Sequence, residues 1–481
     1  MNIVGSLRNS IAPAALSRRE VLGVAGWSAL TLKMGLLDFA SSLFAGEASS
    51  GRKPRVQVIF VRPESDRYRM SWPGASFDAE ARQAEYTKTL VAAAAKLGVD
   101  LEVRPLPLDD ADSIAAFLEQ TAKSPPDGLF ASVLHLKSWP RVEYILKNRG
   151  SVPTVVFSPL GTSFAKQLQS VRGAPKAFVA STPDPQWPAF GLRMLRAVAA
   201  VKQSGICIVA GNVIEDRLVK ALGLRLRYVP LKRWTDELKT VAATPQMQEI
   251  AKYYALEAKD IVEPKTEDLL AAAKNYIVAR RIMAAEKCQG ISVDCFPLLN
   301  ERRVACGPCL AWSKLLDEGL VGGCEGDADA AISLLLSALL LGRPGFMHDP
   351  APNTLRNTLI GSHCTCPTRL DGFDKPHAPF VLRSQAESAS GVAMEVRWRP
   401  GQEITVVKFR SPDTLALGTG RVVADVSGPA STACRTAVEV KVNGLADARS
   451  IKDDHLLFLS GKSDEQWKAY AELAGLKVAP V

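Results

Sequence analysis

Between Arg55 and about Lys202, short β-branched runs alternate with helical stretches, and no other feature of this 481-residue chain narrows its fold as far. Arg55–Val61, RVQVIFV, reads as a strand buried on both faces. A helical stretch from about Asp78 to Leu97 carries Ala, Leu and Val at helical spacing, and Leu101–Arg104, stopped by Pro105, reads as a second short strand. Two more units repeat the pattern: a helix near Ser113–Ala122 before the strand Gly128–Leu134, and a helix near Val142–Lys147 before Pro153–Phe157. Strands that alternate with helices predict an open parallel sheet, whose ligand crevice lies at the carboxyl ends of the strands.

A second series begins near Ala177, with a helix at Gln186–Lys202, strands at Ile206–Ala210 and Leu226–Val229, helices through most of Trp234–Lys287 and a strand at Gly290–Asp294. From Gly345 the texture changes. Val392–Val396, Ile404–Lys408, Arg421–Val426 and Ala437–Val442 are short alternating segments broken by Gly, Pro and Asp, the pattern of antiparallel strands. A helix at about Asp464–Leu473 follows near the end of the chain. The expected class is therefore α/β: two Rossmann-like open parallel-sheet domains (51–175 and 176–344) followed by a β-rich C-terminal domain (345–481), with residues 1–50 set apart.

Those first fifty residues have the layout of a twin-arginine export signal. Ser17-Arg18-Arg19-Glu20-Val21-Leu22 precedes a mostly apolar stretch to Phe44, and small residues follow. The stretch is nearly long enough for a membrane anchor, but Lys33 and Asp38 interrupt it, so the membrane is expected only as a contact of this segment if it stays uncleaved. The expected location is periplasmic or otherwise extracytoplasmic. Elsewhere the longest apolar run, Ala330–Leu341, is too short to span a bilayer.

Composition excludes several classes. With 47% hydrophobic and 23% charged residues the chain is too apolar for disorder. A net charge of +9 is spread without a basic stripe, which argues against nucleic acid as a partner. Nine cysteines are an odd number for a disulfide framework. Cys306-Gly307-Pro308-Cys309 has the spelling of a thioredoxin active site, and His363-Cys364-Thr365-Cys366 could join it around zinc. The motif lies deep inside a larger domain, however, where structural cysteines at a strand-to-helix turn are the simpler reading.

Four polar residues stand where chemistry could be done. Glu325, in Gly322-Gly323-Cys324-Glu325-Gly326-Asp327, sits at the mouth of an apolar helix, either facing a cation or beside a plain cap made by Asp327. Asp349 ends the apolar Phe346-Met347-His348 and is stiffened by Pro350, so it reads as a strand-end carboxylate or a turn residue. His363 lies in a small-residue turn, as a ligand, a substrate contact or a solvent-facing side chain. His455 precedes the apolar run Leu456–Leu459. Glu, Asp and His together form the mixed donor set that suits Mn²⁺ or a related cation.

The second half of the chain resembles the L-fucose isomerase and L-arabinose isomerase superfamily, specifically its distant sugar-isomerase-like members. Cys324-Glu325-Gly326-Asp327 before a small-residue helix resembles the family segment with the metal-binding glutamate, and Gly345-Phe346-Met347-His348-Asp349 the segment with the aspartate. Lys452-Asp453-Asp454-His455-Leu456-Leu457-Phe458, with Gly461 and the last helix, resembles the segment with the metal-binding histidine. Asp454 stands where the fucose isomerases carry an amide. The resemblance implies a manganese ion, or another divalent cation, on Glu325, Asp349 and His455. It also implies an aldose–ketose isomerisation of a small open-chain sugar, with Glu325 and Asp349 as the acid–base pair. Trp139 resembles a family tryptophan that lines the sugar site of a neighbouring subunit, and a homo-oligomer is implied with it. The alternative is an exported sugar-binding or sensing protein that keeps the fold without turnover.

Overall fold

The computed structural model describes residues 52–63, 67–69, 76–428 and 434–481, so the twin-arginine segment and the apolar stretch after it lie outside the described residues. The first sheet holds β1 (Arg55–Val61), β2 (Asp100–Val103), β3 (Gly128–Val133), β4 (Thr154–Pro159) and β5 (Ala177–Thr182) in the order β2-β1-β3-β4-β5. All its pairings are parallel. β3 and β4 are buried along their whole length because helices cover both faces, which is why their sequences run continuously apolar. Those helices are α1 (Ala79–Leu97), α2 (Ala111–Lys123), α3 (Trp139–Asn148) and α4 (Trp187–Gln203). Asp78 starts α1 by accepting the Ala81 N–H, and Asp110 starts α2 by accepting that of Ser113. Ala177, where a second series was expected to begin, instead opens the fifth strand of this sheet. Its six residues pair in unbroken parallel register with Thr154–Pro159.

The second sheet holds β6 (Gly205–Val209), β7 (Glu215–Val219), β8 (Leu224–Val229), β9 (Gly290–Val293) and β10 (Val321–Cys324) in the order β10-β9-β6-β8-β7. It departs from the all-parallel expectation, because β7 runs antiparallel on the edge beside β8. The exposed, charged side chains of β7 suit a strand with one free edge. The helices α5 (Thr266–Ala285), α6 (Cys309–Asp317) and α7 (Ala328–Leu341) belong to this part, and α7 packs against α4, β9 and β10.

The β-rich part is a closed barrel. Its strands are β11 (Phe346–Asn353), β12 (Thr358–His363), β13 (Glu403–Arg410), β14 (Thr414–Asp425), β15 (Thr436–Val442) and β16 (Leu456–Ser460). Antiparallel pairs run β13-β16-β11-β12-β15-β14, and β14 pairs back to β13 to close the ring. Of the four strands read from the sequence, Ala393–Val396 lies outside the barrel, in a small sheet with Asp260–Ile261 and Phe380–Arg383. A last helix, α8 (Asp464–Ala474), leads into β17 (Lys477–Pro480), which pairs parallel to β14. The architecture is thus mixed α/β, with a parallel sheet and a closed six-stranded antiparallel barrel.

One hydrophobic core runs from Val58, Phe60 and Phe130 of the first sheet, through Ile208 and Ile291 of the second, to Val406 and Phe458 of the barrel. The other face of the first sheet has its own core around Ile59, Leu129 and Trp139. No described helix is long and apolar enough to cross a membrane.

Candidate metal centre

Four segments end at one place, where the carboxyl end of β10 meets the barrel. β10 stops at Cys324, and the next two residues, Glu325 and Gly326, both take left-handed backbone conformations, with φ of 59° and 68°. Glycine adopts this region freely, but a glutamate there is strained, as residues at functional turns often are. Asp327 then starts α7 by accepting the Ala330 N–H at 2.8 Å.

Asp349 does not end a strand, as the sequence suggested, but lies in the middle of β11. Phe346–His348 pair with β16, and Asp349–Asn353 pair with β12 on the other side. Pro350 therefore falls just past the last β16 pair, where its missing N–H leaves no ladder bond unmade. Alternation buries His348 completely against the Phe458 ring and turns Asp349 the other way, half-exposed. His455 immediately precedes β16, one step beyond the Leu456–His348 pair, which brings it beside Asp349. His363, read as a turn residue, is the last residue of β12. The loop behind it is tied to the end of α6, where Asp317 accepts the N–H groups of Thr368 and Arg369, both at 2.8 Å.

One ligand atom from each of Glu325, Asp349, His363 and His455 lies within 4.8 Å of the others. His455 Nε2 stands 3.2 Å from Asp349 Oδ1 and 3.4 Å from Glu325 Oε2, and His363 Nε2 stands 3.5 Å from Glu325 Oε1. Both Nε2 atoms are buried and make no aligned hydrogen bond. Their Nδ1 atoms are engaged behind, His455 with Asp327 Oδ2 at 2.9 Å and His363 with the Thr365 hydroxyl at 3.0 Å. Asp327 in turn accepts from Lys408 at 2.6 Å. Imidazoles fixed through Nδ1, with Nε2 aimed at carboxylate oxygens, form the arrangement of a metal site with its outer support. The residues fit a divalent cation.

The electrostatics agree. Burial pushes the Glu325 carboxyl up, but His363 and His455 outweigh it and bring its pKa down to about 2. Burial pulls His455 down, but Asp327, Asp349 and Glu325 raise it to about 11. His363 is raised too, against its burial, chiefly by Glu325 and Asp349. Without a cation, protons on the imidazoles balance the carboxylates, and a bound cation would displace them. A cavity of about 470 Å³ opens over Glu325 and His455, rimmed by Asp327, Asp329, Asp453 and Asp454, with Lys408 and Lys452 as its cations.

The structure brings Glu325, Asp349 and His455 together and adds His363 as a fourth donor. It does not bring Trp139 there: that side chain is 1% exposed, lies in the core of the first sheet and donates to the Thr162 carbonyl at 2.8 Å. Asp327, read as a cap, is a cap that also orients His455. The second role leaves no local signal in sequence, since His455 lies 128 residues away. No group of three or more converging donors among the described residues includes a cysteine. All nine are free thiols. Burial pushes Cys306 up to about 11, the opposite of an activated thiolate, whereas hydrogen bonds from the Cys309 and Cys434 thiols hold Cys364 well below its ordinary value. Cys366 donates to the Pro367 carbonyl, while the His363 ring faces Glu325. Among the described residues, the Glu325–Asp349–His363–His455 group is the one convergence of three or more such donors.

No protein-family model matches the chain. Over 143 residues the chain is 27% identical to a sulfoquinovose isomerase of Alkalicoccus urumqiensis, a match covering 29% of this chain and 29% of that relative. The chain thus spans under a third of the relative it matches, and it stands in a distant relationship to a sugar isomerase.

Proposed function

We propose that this protein is a metal-dependent aldose–ketose isomerase that converts an open-chain sugar through an enediol. The observation that carries the reading is the convergence of Glu325, Asp349 and the two buried histidines His363 and His455, with Glu325 and His455 lining an open cavity. The distant similarity to a sugar isomerase supports the reaction class. Mn²⁺ is the proposed cation, and once bound on these four residues it would stabilise the oxyanion that develops when a proton leaves the carbon next to a carbonyl.

The remaining work falls to the chain's own groups. Isomerisation breaks C2–H and O2–H and forms C1–H and O1–H, so two protons move and none is gained or lost. Glu325 is ionised across the neutral range and accepts the carbon-bound proton. Asp349, half-exposed, is the partner that hands a proton between the oxygens. Asp327 keeps the His455 ring oriented, and Lys408 keeps Asp327 ionised. Export by the twin-arginine route and assembly as a homo-oligomer complete the proposal, on the N-terminal pattern and the family resemblance respectively.

The test is turnover of an aldose panel in D₂O with Mn²⁺, followed by NMR for ketose formation and deuterium entry at C1 or C2. Conversion that is lost in Glu325→Gln supports the assignment. Sugar-dependent thermal stabilisation without any conversion or exchange would instead mark a binding protein.

A further inference from the structure

A second concavity lies away from the metal centre, between α1, α4, the end of α7 and α8, with a volume of about 540 Å³. The two sites sit at opposite ends of α7, whose 14 residues make it about 21 Å long. Their charges are opposite as well. Five carboxylates line the cavity at the metal centre, whereas Lys96, Arg193 and Arg343 line this groove and no Asp or Glu does.

Among the described residues, neither guanidinium there is paired with a carboxylate. Arg193 makes no hydrogen bond or ion pair among the described residues, although it reaches the carboxyl end of α7. A Cβ on Gly342 would stand 2.6 Å from its Nη1, so only a glycine lets the guanidinium lie so close. Arg343 donates through Nη1 to the Ser460 carbonyl, but its buried Nε has no acceptor. Asp374 and Asp371 act on these arginines only beyond ion-pair distance. Burial, and for Arg193 the nearby Arg343 charge as well, disfavour the charged forms, a cost that an anion would offset. Arginine pairs of this kind suit the oxygens of a phosphate. The floor is apolar, from Phe190, Leu340 and Leu341.

We propose that this groove binds a small organic phosphate, its dianion between Arg193, Arg343 and Lys96 and its apolar body on Phe190 and Leu340. The probe is phenyl phosphate, titrated calorimetrically into the metal-free full-length chain, with inorganic phosphate and benzoate as comparisons. Phenyl phosphate should bind more tightly than either. Arg193→Gln and Arg343→Gln should each weaken it about tenfold or more. His455→Ala, at the other site, should leave it unchanged. Arg193→Lys, which keeps the charge but not the fork, should show an intermediate loss with an unchanged melting temperature. Absence of saturable binding at millimolar phenyl phosphate, or equal affinity in the Arg193→Gln/Arg343→Gln double variant, would overturn the proposal.

Discussion

Asp327 does two things that substitution can separate. Its side chain caps α7 and also accepts the Nδ1 proton of His455. Asparagine is as good a cap as aspartate but carries no charge to hold the imidazole. Asp327→Asn should therefore keep the cap but weaken Mn²⁺ binding by about 10-fold to 100-fold, and should lower the melting temperature because the buried Lys408 loses its carboxylate partner. Asp327→Ala should in addition destabilise the fold by about 1 kcal/mol through loss of the cap, read by denaturant unfolding. The pH dependence follows from His455. Its folded pKa of about 11 lies above its ordinary value, so in the metal-free protein its ion pairs stabilise fully below about 6.5 and are lost as pH rises through 11. Glu325, lowered to about 2, stabilises above its ordinary 4.5 and loses that as pH falls toward 2. Metal binding must expel the His455 proton, so between these limits affinity rises with pH, by about tenfold per unit for each proton displaced. Calorimetry in buffers of different ionisation enthalpy should count at least one proton released per Mn²⁺ bound.

Among the elements, β10 shows how a strand escapes a reading by pattern. Val321-Gly322-Gly323-Cys324 holds two glycines where strand formers are expected, yet Gly322 is needed there. A Cβ on it would lie 2.7 Å from the Trp312 Cα and 3.0 Å from the Trp312 carbonyl oxygen, both backbone atoms of α6. Gly322→Ala must push α6 and β10 apart, and since β10 delivers Glu325, both stability and metal binding should fall. A destabilisation of about 2 kcal/mol or more is expected in chemical unfolding. The strands Arg55–Val61 and Gly128–Val133 were legible because burial on both faces writes a mostly apolar run. Ala177–Thr182 was not legible as a strand, and Ala177 only as the start of a second series, because membership of the first sheet is decided by pairing with Thr154–Pro159. His363 was ambiguous for the same reason. Gly-Ser-His-Cys-Thr-Cys-Pro is rich in turn formers, and only pairing of β12 with β11 and β15 shows it ending a barrel strand.

For the molecule as a whole, the centre is assembled where two kinds of sheet meet. Glu325 follows the carboxyl end of a strand in the second sheet, while Asp349 and His363 lie in barrel strands and His455 immediately precedes a third. Closure of that barrel leaves no trace in local sequence, since it rests on β14 pairing with both β13 and β15. Glu325, Asp349 and His455 are nonetheless singled out by short segments resembling a sugar-isomerase motif, and the structure brings them together with His363. The most direct test of the account is Mn²⁺ binding by the full-length chain, measured as stoichiometry and affinity after exhaustive chelation, beside His455→Ala and Asp349→Ala. The account predicts about one Mn²⁺ per chain, with affinity collapsing in both variants while circular dichroism stays native. Undiminished Mn²⁺ binding in both folded variants, or no binding by the unaltered chain, would contradict it.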